Sequence, residues 1–343
     1  MTNRSAAQRL VVCFLVLAAV DQAVIPVLYF SESRHYKSAA FGRFPNSDLF
    51  PLGPLVEYLE ENPIGPKPRA AFLGDSRVWG YRLKSEETIP AAFQRLAPEM
   101  EALNLGINSF KEGSNYLITK RLLGSVDFYY LFFQEGLEDQ QAHPLLPKLI
   151  RVDPEDAAWF HFQQPSKIRI WLDRLADHWR LSRYSYRLQA AWFGTSARQA
   201  CYLSLKNLLL ARSAKKQVPE RTPVEAASAA AFYEVPMDHG MLSPEEVKRL
   251  AQCYPLLWKQ ADLFARHDKR GFFIEFSNAP TVMPKQDAAL FNAYFHPSAL
   301  VVRLVIPKSW YMDEQSHVTA EGAAGVARLL AQLTQESSKR GPE

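Results

Sequence analysis

A short apolar run that stops at a polar turn sets the strongest limit on how this chain folds. Residues 70–73 (Ala-Ala-Phe-Leu) are followed directly by Gly-Asp-Ser-Arg at 74–77. A brief apolar segment that ends in turn-forming residues is typical of a buried strand in a parallel α/β sheet. Ligands bind outside the carboxyl ends of such strands, which makes Ser76 a candidate nucleophile. On this stretch alone, a turn serine or a helix N-cap is the simpler interpretation.

Alternating strand and helix patterns follow along the chain. Strands that alternate with helices at this spacing indicate βαβ units and a parallel sheet covered on both faces. The sequence therefore predicts an α/β fold, a three-layer doubly wound parallel sheet. Its further predicted strands are 101–106, 126–133, 271–276 and 300–306, and its predicted helices are 88–97, 114–123, 243–267 with a break at Pro255, and 320–335.

The N-terminal segment has the pattern of a membrane anchor. Residues 10–30 are almost wholly apolar after a flank that carries Arg4 and Arg9, and a helix needs about 20 residues to span a bilayer. We expect residues 1–30 to form a transmembrane anchor with the arginines on the cytoplasmic side. A signal peptide that ends near Val20 is the alternative, and a buried soluble helix is the weakest one. Asp21, inside the span, is a candidate contact for another membrane protein.

The rest of the chain divides by composition. We interpret residues 31–67 as a connecting arm with a short helix at 55–59, and residues 68–336 as one α/β domain. Helical patterns at 167–193 and 198–214 indicate an insertion at about 140–236. Its basic, aromatic helices either contact anionic lipid headgroups or expose their basic face to solvent with the aromatic residues in the core. Residues 337–343 are predicted to be a frayed tail.

Charge and cysteine content exclude several classes of function. The 343 residues carry a net charge of only +4, which argues against a dedicated nucleic-acid binder. Three scattered cysteines form neither a metal-ligand set nor a disulfide framework. No glycine-rich phosphate loop is present. We therefore expect no metal and no cofactor.

A histidine near the C-terminus completes a candidate catalytic set. His317 lies between the last predicted strand and the last helix, three residues after Glu314 and four after Asp313. A carboxylate at this spacing can orient the imidazole, and a Ser–His–acid device needs such a base. The loop that carries His317 follows a strand, so it should lie at the same sheet edge as Ser76. Either Asp313 or Glu314 can be the acid, and we prefer Asp313.

These segments together resemble the SGNH/GDSL hydrolase superfamily, whose sheet is flavodoxin-like. Gly74-Asp75-Ser76 is similar to its first block, Asn104-Leu105-Gly106 to its second, and the 313–322 segment to its last. The resemblance implies that Ser76 is the nucleophile and His317 the base. It also implies that the amides of Ser76 and Gly106 bind the oxyanion.

The sequence departs from the family in its third block, Gly-x-Asn-Asp, which supplies an asparagine oxyanion donor. Gln134-Glu135-Gly136 stands after the third predicted strand instead. Asn108 is a substitute amide donor, and Arg77 beside the nucleophile is a candidate substrate contact. Losing one oxyanion donor costs on the order of 3 kcal/mol of transition-state stabilisation.

An anchor, an SGNH-type domain and an altered third block are together similar to one branch of the superfamily. Its members include alginate O-acetylation proteins and the D-alanylation partner of teichoic acids, and they act with membrane-bound O-acyltransferases. The resemblance implies acyl transfer, often of acetyl, to a cell-surface polysaccharide through an acyl-serine. The expected location is the bacterial cytoplasmic membrane, single-pass, with the catalytic domain in the periplasm or outside.

Two other functions stay open. The same triad with water as the acceptor is a carbohydrate or lipid esterase. A chain that kept the fold and lost the chemistry is a non-catalytic subunit of a membrane O-acyltransferase assembly. The missing third block favours the subunit, and the retained Ser76 and His317 oppose it.

Overall fold

The computed structural model describes residues 11–13, 15–20, 52–63, 65, 67–107, 111–133, 141–143, 146–148, 150–162, 231–237, 242–276, 283–313 and 317–339. The strands are β1 (Arg69–Gly74), β2 (Glu101–Gly106), β3 (Phe128–Phe132), β4 (Phe232–Glu234), β5 (Arg270–Phe276) and β6 (Ala299–Val305). The helices numbered here are α1 (Leu52–Glu61), α2 (Ser76–Trp79), α3 (Ile89–Leu96), α4 (Glu112–Leu122), α5 (Pro154–Trp159), α6 (Pro244–Cys253), α7 (Pro255–Arg266), α8 (Lys285–Phe295) and α9 (Ala320–Lys339).

The strands form one mostly parallel sheet in the order β2-β1-β3-β5-β6-β4. The first five are parallel to one another, in the arrangement of flavodoxin-like sheets. β4 pairs antiparallel with β6, so the prediction of an all-parallel sheet is wrong at this edge. The three-residue β4 falls inside the predicted insertion and is too short to show a strand period.

Apolar clusters cover both faces of the sheet. One face packs against α1, α4, α7 and α8, and the other against α2, α3 and α9. β1 lies between two strands and is buried along its whole length, as its apolar run predicts. Phe72 stacks on Tyr130 of β3 with ring centroids 4.6 Å apart. Full burial of such a side chain contributes about 2–3 kcal/mol. The central strands therefore hold the turn after β1 on a rigid base.

Helix α1 belongs to the core, although the sequence suggested a connecting arm with only a short helix. Leu52, Leu55, Val56 and Leu59 are buried against the α4 face. This spacing of three, one and three residues places all four on one side of a helix. The α/β domain thus includes α1, which begins sixteen residues before the predicted boundary at residue 68.

Helix α9 runs to Lys339, beyond the predicted end at residue 335. The guanidinium of Arg270 in β5 donates hydrogen bonds to the Ser337 carbonyl and, at 2.8 Å, to the Ser337 hydroxyl. These bonds satisfy acceptors in the last turns, which would otherwise have no partner within the helix. Residues 337–339 are consequently helical, and the prediction of a frayed tail is wrong for them.

Two predicted regions lie largely outside the described residues. The insertion helices at 167–193 and 198–214 are not among them, and neither is Asp21. Residues 11–13 and 15–19 of the N-terminal segment are helical. Within the described part of the chain, no helix combines the length and the apolar character needed to cross a bilayer.

Candidate active site

Ser76 lies at the tip of the turn that follows β1. Gly74 has φ +155°, and an added Cβ there would lie 3.0 Å from Phe132 Cβ and 2.9 Å from Val78 Cγ2. A residue with a side chain therefore does not fit. The carboxylate of Asp75 caps α2 by accepting the Arg77 N–H at 2.9 Å. The Gly-Asp-Ser sequence thus makes a sharp strand-to-helix turn with serine as the first helical residue.

The loop between β6 and α9 delivers the other two side chains. An antiparallel bridge pairs Tyr311 with Val318, and the Met312 N–H donates to the His317 carbonyl at 2.7 Å. This closure places Asp313 and His317 on the same short loop. Trp310 anchors it on α9, where a Cβ on Gly325 would lie only 2.0 Å from the indole ring. The glycine is needed for this close approach.

Two hydrogen bonds connect the three side chains. Ser76 Oγ lies 2.7 Å from His317 Nε2, and His317 Nδ1 lies 2.8 Å from Asp313 Oδ2. An ionised carboxylate only accepts, so with Asp313 ionised Nδ1 is the donor, and in the neutral form of the ring Nε2 then accepts from the serine hydroxyl. Asp313 Oδ1 also accepts the His317 backbone N–H at 3.3 Å. The acid therefore fixes both the tautomer and the position of the base.

Ser76 and His317 are buried, and Asp313 is partly exposed. Ser76 is 8% exposed and His317 is 6% exposed. The ring of Tyr81 packs on the imidazole with centroids 4.6 Å apart. Sequence reasoning missed Tyr81, because its position depends on the left-handed turn at Gly80, φ +85°, which no sequence period reveals.

Arg77 points into the protein. It is 4% exposed, its Nε donates to Asp75 Oδ1 at 3.0 Å, and its guanidinium also donates to the Phe133 carbonyl. The guanidinium carbon lies 5.6 Å from the centroid of the Phe276 ring. Arg77 thus connects the ends of β1, β3 and β5. The prediction that it contacts substrate stays a prediction.

The predicted oxyanion donors differ in their surroundings. The Gly106 N–H donates to Asn104 Oδ1 at 3.0 Å, so this amide already has an acceptor within the chain. The Nδ2 atom of Asn104 is buried and has no hydrogen-bond partner among the described residues. As the first residue of α2, Ser76 has an N–H that no intrahelical bond uses. Asn108, Glu314 and the 134–136 segment lie outside the described residues.

Gly106 also has a packing role. A Cβ at this position would lie 2.3 Å from the Trp79 backbone nitrogen and 2.7 Å from the Val78 carbonyl carbon. Only a glycine lets α2 rest directly on the end of β2. The family resemblance implies that Gly106 is an oxyanion donor. Gly106 also determines how closely α2, which carries Ser76, packs on the end of β2.

The site has the parts of a nucleophilic serine device at the carboxyl edge of a parallel sheet. Comparison of the chain with protein families, with curated proteins and with solved structures gave no match. The functional conclusion therefore depends on the geometry of these residues and on the motifs that they form.

Proposed function

We propose that this protein transfers an acyl group, most simply acetyl, to a hydroxyl of a cell-surface polysaccharide through an ester on Ser76. The observation that carries the proposal is the continuous hydrogen-bond chain from Ser76 Oγ through His317 to Asp313, with links of 2.7 and 2.8 Å. These distances lie within the range in which a base takes a proton directly from a nucleophile.

In the first step, Ser76 Oγ attacks the carbonyl carbon of the donor ester, and its proton passes to His317 Nε2. The resulting imidazolium is stabilised by the Asp313 carboxylate. The bond between the carbonyl carbon and the leaving oxygen then breaks, and the leaving group takes the proton from Nε2. In the second step, an acceptor hydroxyl gives its proton to Nε2 and attacks the acyl-serine. Ser76 Oγ leaves and recovers that proton.

The hydrogen-bond chain serves transfer and hydrolysis alike, because both pass through the acyl-serine. The N-terminal apolar segment is the feature that favours transfer. In the proposal it holds the domain on the outer side of the cytoplasmic membrane, beside a membrane O-acyltransferase that supplies the acyl group. The superfamily assignment to the SGNH/GDSL hydrolases belongs to this proposal and is supported by the order of the three motifs.

One observation favours a second candidate, a non-catalytic subunit of the same kind of assembly. The Gly106 N–H is bonded to Asn104, and a donor that is already bonded stabilises an oxyanion only after it exchanges that bond. The intact hydrogen-bond chain of Ser76, His317 and Asp313 opposes this alternative, since a chain without chemistry has no need of it.

The test compares the full-length protein in detergent with Ser76→Ala. Each is incubated with p-nitrophenyl acetate, with and without an oligosaccharide acceptor. We expect release of p-nitrophenol that depends on Ser76, together with an acetylated acceptor. Release without acetylated acceptor would indicate an esterase. Release that is unchanged in Ser76→Ala would rule out the nucleophile, and no release from either protein would indicate the assembly subunit.

A further inference from the structure

Tyr81 contacts both Ser76 and His317. Its backbone N–H donates to the Ser76 carbonyl at 2.9 Å, so its position is tied to the nucleophile residue. Its ring lies on the His317 imidazole, with centroids 4.6 Å apart and planes at 33°. The left-handed Gly80, whose own N–H donates to the same carbonyl at 3.0 Å, turns the chain back to make this contact.

An aromatic face beside the base matters most when the base is charged. In the proposed reaction His317 becomes an imidazolium when it takes the serine proton. The face of an aromatic ring carries partial negative charge and attracts a cation within about 6 Å of its centroid. The ring of Tyr81 therefore interacts more strongly with His317 in the transition state than in the ground state. Only such a differential interaction accelerates a chemical step.

We propose that Tyr81 is a positioning residue of the base, which holds the imidazole toward Ser76 and stabilises the imidazolium formed during acyl transfer. The inference rests on the proposed function, because it requires His317 to act as a base for Ser76. It assigns the contribution to the aromatic ring and not to the phenol hydroxyl. Tyr81→Phe should therefore behave like the wild-type protein.

The experiment measures phosphonylation of Ser76 in the full-length protein by a fluorophosphonate probe. In this reaction Ser76 Oγ forms a bond to phosphorus, fluoride leaves, and the serine proton passes to His317. The rate at saturating probe and the probe concentration at half-maximal rate are measured separately. The variants are Tyr81→Phe, Tyr81→Leu and Tyr81→Met. Tyr294→Leu, which replaces a 48% exposed tyrosine on α8, is the matched control.

We expect Tyr81→Leu and Tyr81→Met to lower the saturating rate about tenfold, with little change in the half-saturating concentration. Tyr81→Phe and Tyr294→Leu should keep the wild-type rate. Thermal unfolding of each variant identifies any variant that is not folded at the assay temperature, and the other ringless variant then gives the result. Ringless variants that react as fast as Tyr81→Phe would overturn the role of Tyr81 and leave the proposed function standing. A Ser76→Ala variant that is labelled as fast as the wild-type protein would overturn both.

Discussion

Replacing Asp313 by asparagine removes the charge that orients the base while keeping the side-chain volume. In the structure, Asp313 Oδ2 accepts from His317 Nδ1 at 2.8 Å, and Oδ1 accepts from the His317 backbone at 3.3 Å. The carboxamide N–H₂ group of asparagine can donate to His317 Nδ1. The neutral imidazole then carries its proton on Nε2, which faces Ser76. That tautomer cannot accept the serine proton. The substitution therefore acts on the chemical step and not on substrate binding.

The size of the effect follows from the strength of the lost bond. A hydrogen bond to a charged group contributes about 1.5–3 kcal/mol. The Asp313 side chain is 31% exposed, so solvent screens part of its interaction with the imidazolium. Loss of the correct tautomer adds to the cost. We expect about 2.7 kcal/mol in total, which lowers kcat about 100-fold at 1.36 kcal/mol per factor of ten.

The assay is steady-state release of p-nitrophenol from p-nitrophenyl acetate by the full-length protein. Glu314→Gln is the matched control, because the sequence leaves Glu314 as the alternative acid. We expect Asp313→Asn to lower kcat about 100-fold with KM little changed, and Glu314→Gln to stay within about twofold of the wild type. A larger loss in Glu314→Gln, or equal small losses in both variants, would refute the assignment of Asp313. Thermal unfolding of each variant excludes loss of fold as the cause.

Two further substitutions test residues beside Ser76, and a third tests an ion pair between α6 and α8. Arg77→Ala leaves the buried Asp75 carboxylate without its cation, and we expect the free energy of unfolding to fall by about 3 kcal/mol in a urea titration. Gly106→Ala forces α2 off β2, and we expect a loss of about 2 kcal/mol together with slower labelling of Ser76. Asp287→Asn removes the negative charge that pairs with Arg249, whose hydrogen bond is the main cause of the lowered pKa of Asp287, and should cost about 1 kcal/mol at pH 7. Since the folded pKa of Asp287 lies below its ordinary 3.8, this contribution is complete above that pH and is lost as the pH falls below it, so the wild type and Asp287→Asn should converge in stability in acid.

Each of these predictions has a clear contrary result. An unchanged unfolding midpoint for Arg77→Ala, with a raised KM for the acceptor, would show that Arg77 binds substrate and does not hold the sheet edge. Normal stability and labelling in Gly106→Ala would mean that α2 moves without consequence for Ser76. A constant stability difference between the wild type and Asp287→Asn from neutral to acid pH would contradict the assigned cause of the pKa shift.

The central strands of the sheet were predictable because each has a recognisable pattern in the sequence. β1, β2, β3, β5 and β6 are short apolar runs that end in turns, as buried parallel strands do. The predicted helix start at residue 243 and the predicted break at Pro255 also agree with the structure, in which Ser243 Oγ caps α6 by accepting the Glu246 N–H at 3.3 Å. Local chemistry decides these features, so a single sequence contains them.

The edges of the fold depend on tertiary contacts that a local pattern does not carry. β4 exists because β6 offers an open edge, and α1 is a core helix because the α4 face leaves its four apolar residues a place to pack. The final turn of α9 depends on Arg270, 67 residues away in the chain. None of these partners is adjacent in sequence.

In the site, too, some features follow from local sequence and others depend on tertiary contacts. The motifs identified Ser76 and His317, and the preference for Asp313 over Glu314 agrees with the hydrogen bonds of Asp313. The spacing of Asp313 and Glu314 from His317 did not by itself distinguish the two acids. The bond from the Gly106 N–H to Asn104 and the ring of Tyr81 over His317 depend on turn geometry, and no sequence pattern predicted either one.

The central claim is that Ser76 carries the acyl group during the reaction. The most direct measurement is mass spectrometry of the full-length protein after a brief reaction with p-nitrophenyl acetate and an acid quench, followed by peptide mapping. We predict one acetyl group on the peptide that contains Ser76, no such adduct in Ser76→Ala, and loss of the adduct when an acceptor is added before the quench. A protein that releases p-nitrophenol with no acetyl group on Ser76, or that is acetylated equally in Ser76→Ala, would contradict the account.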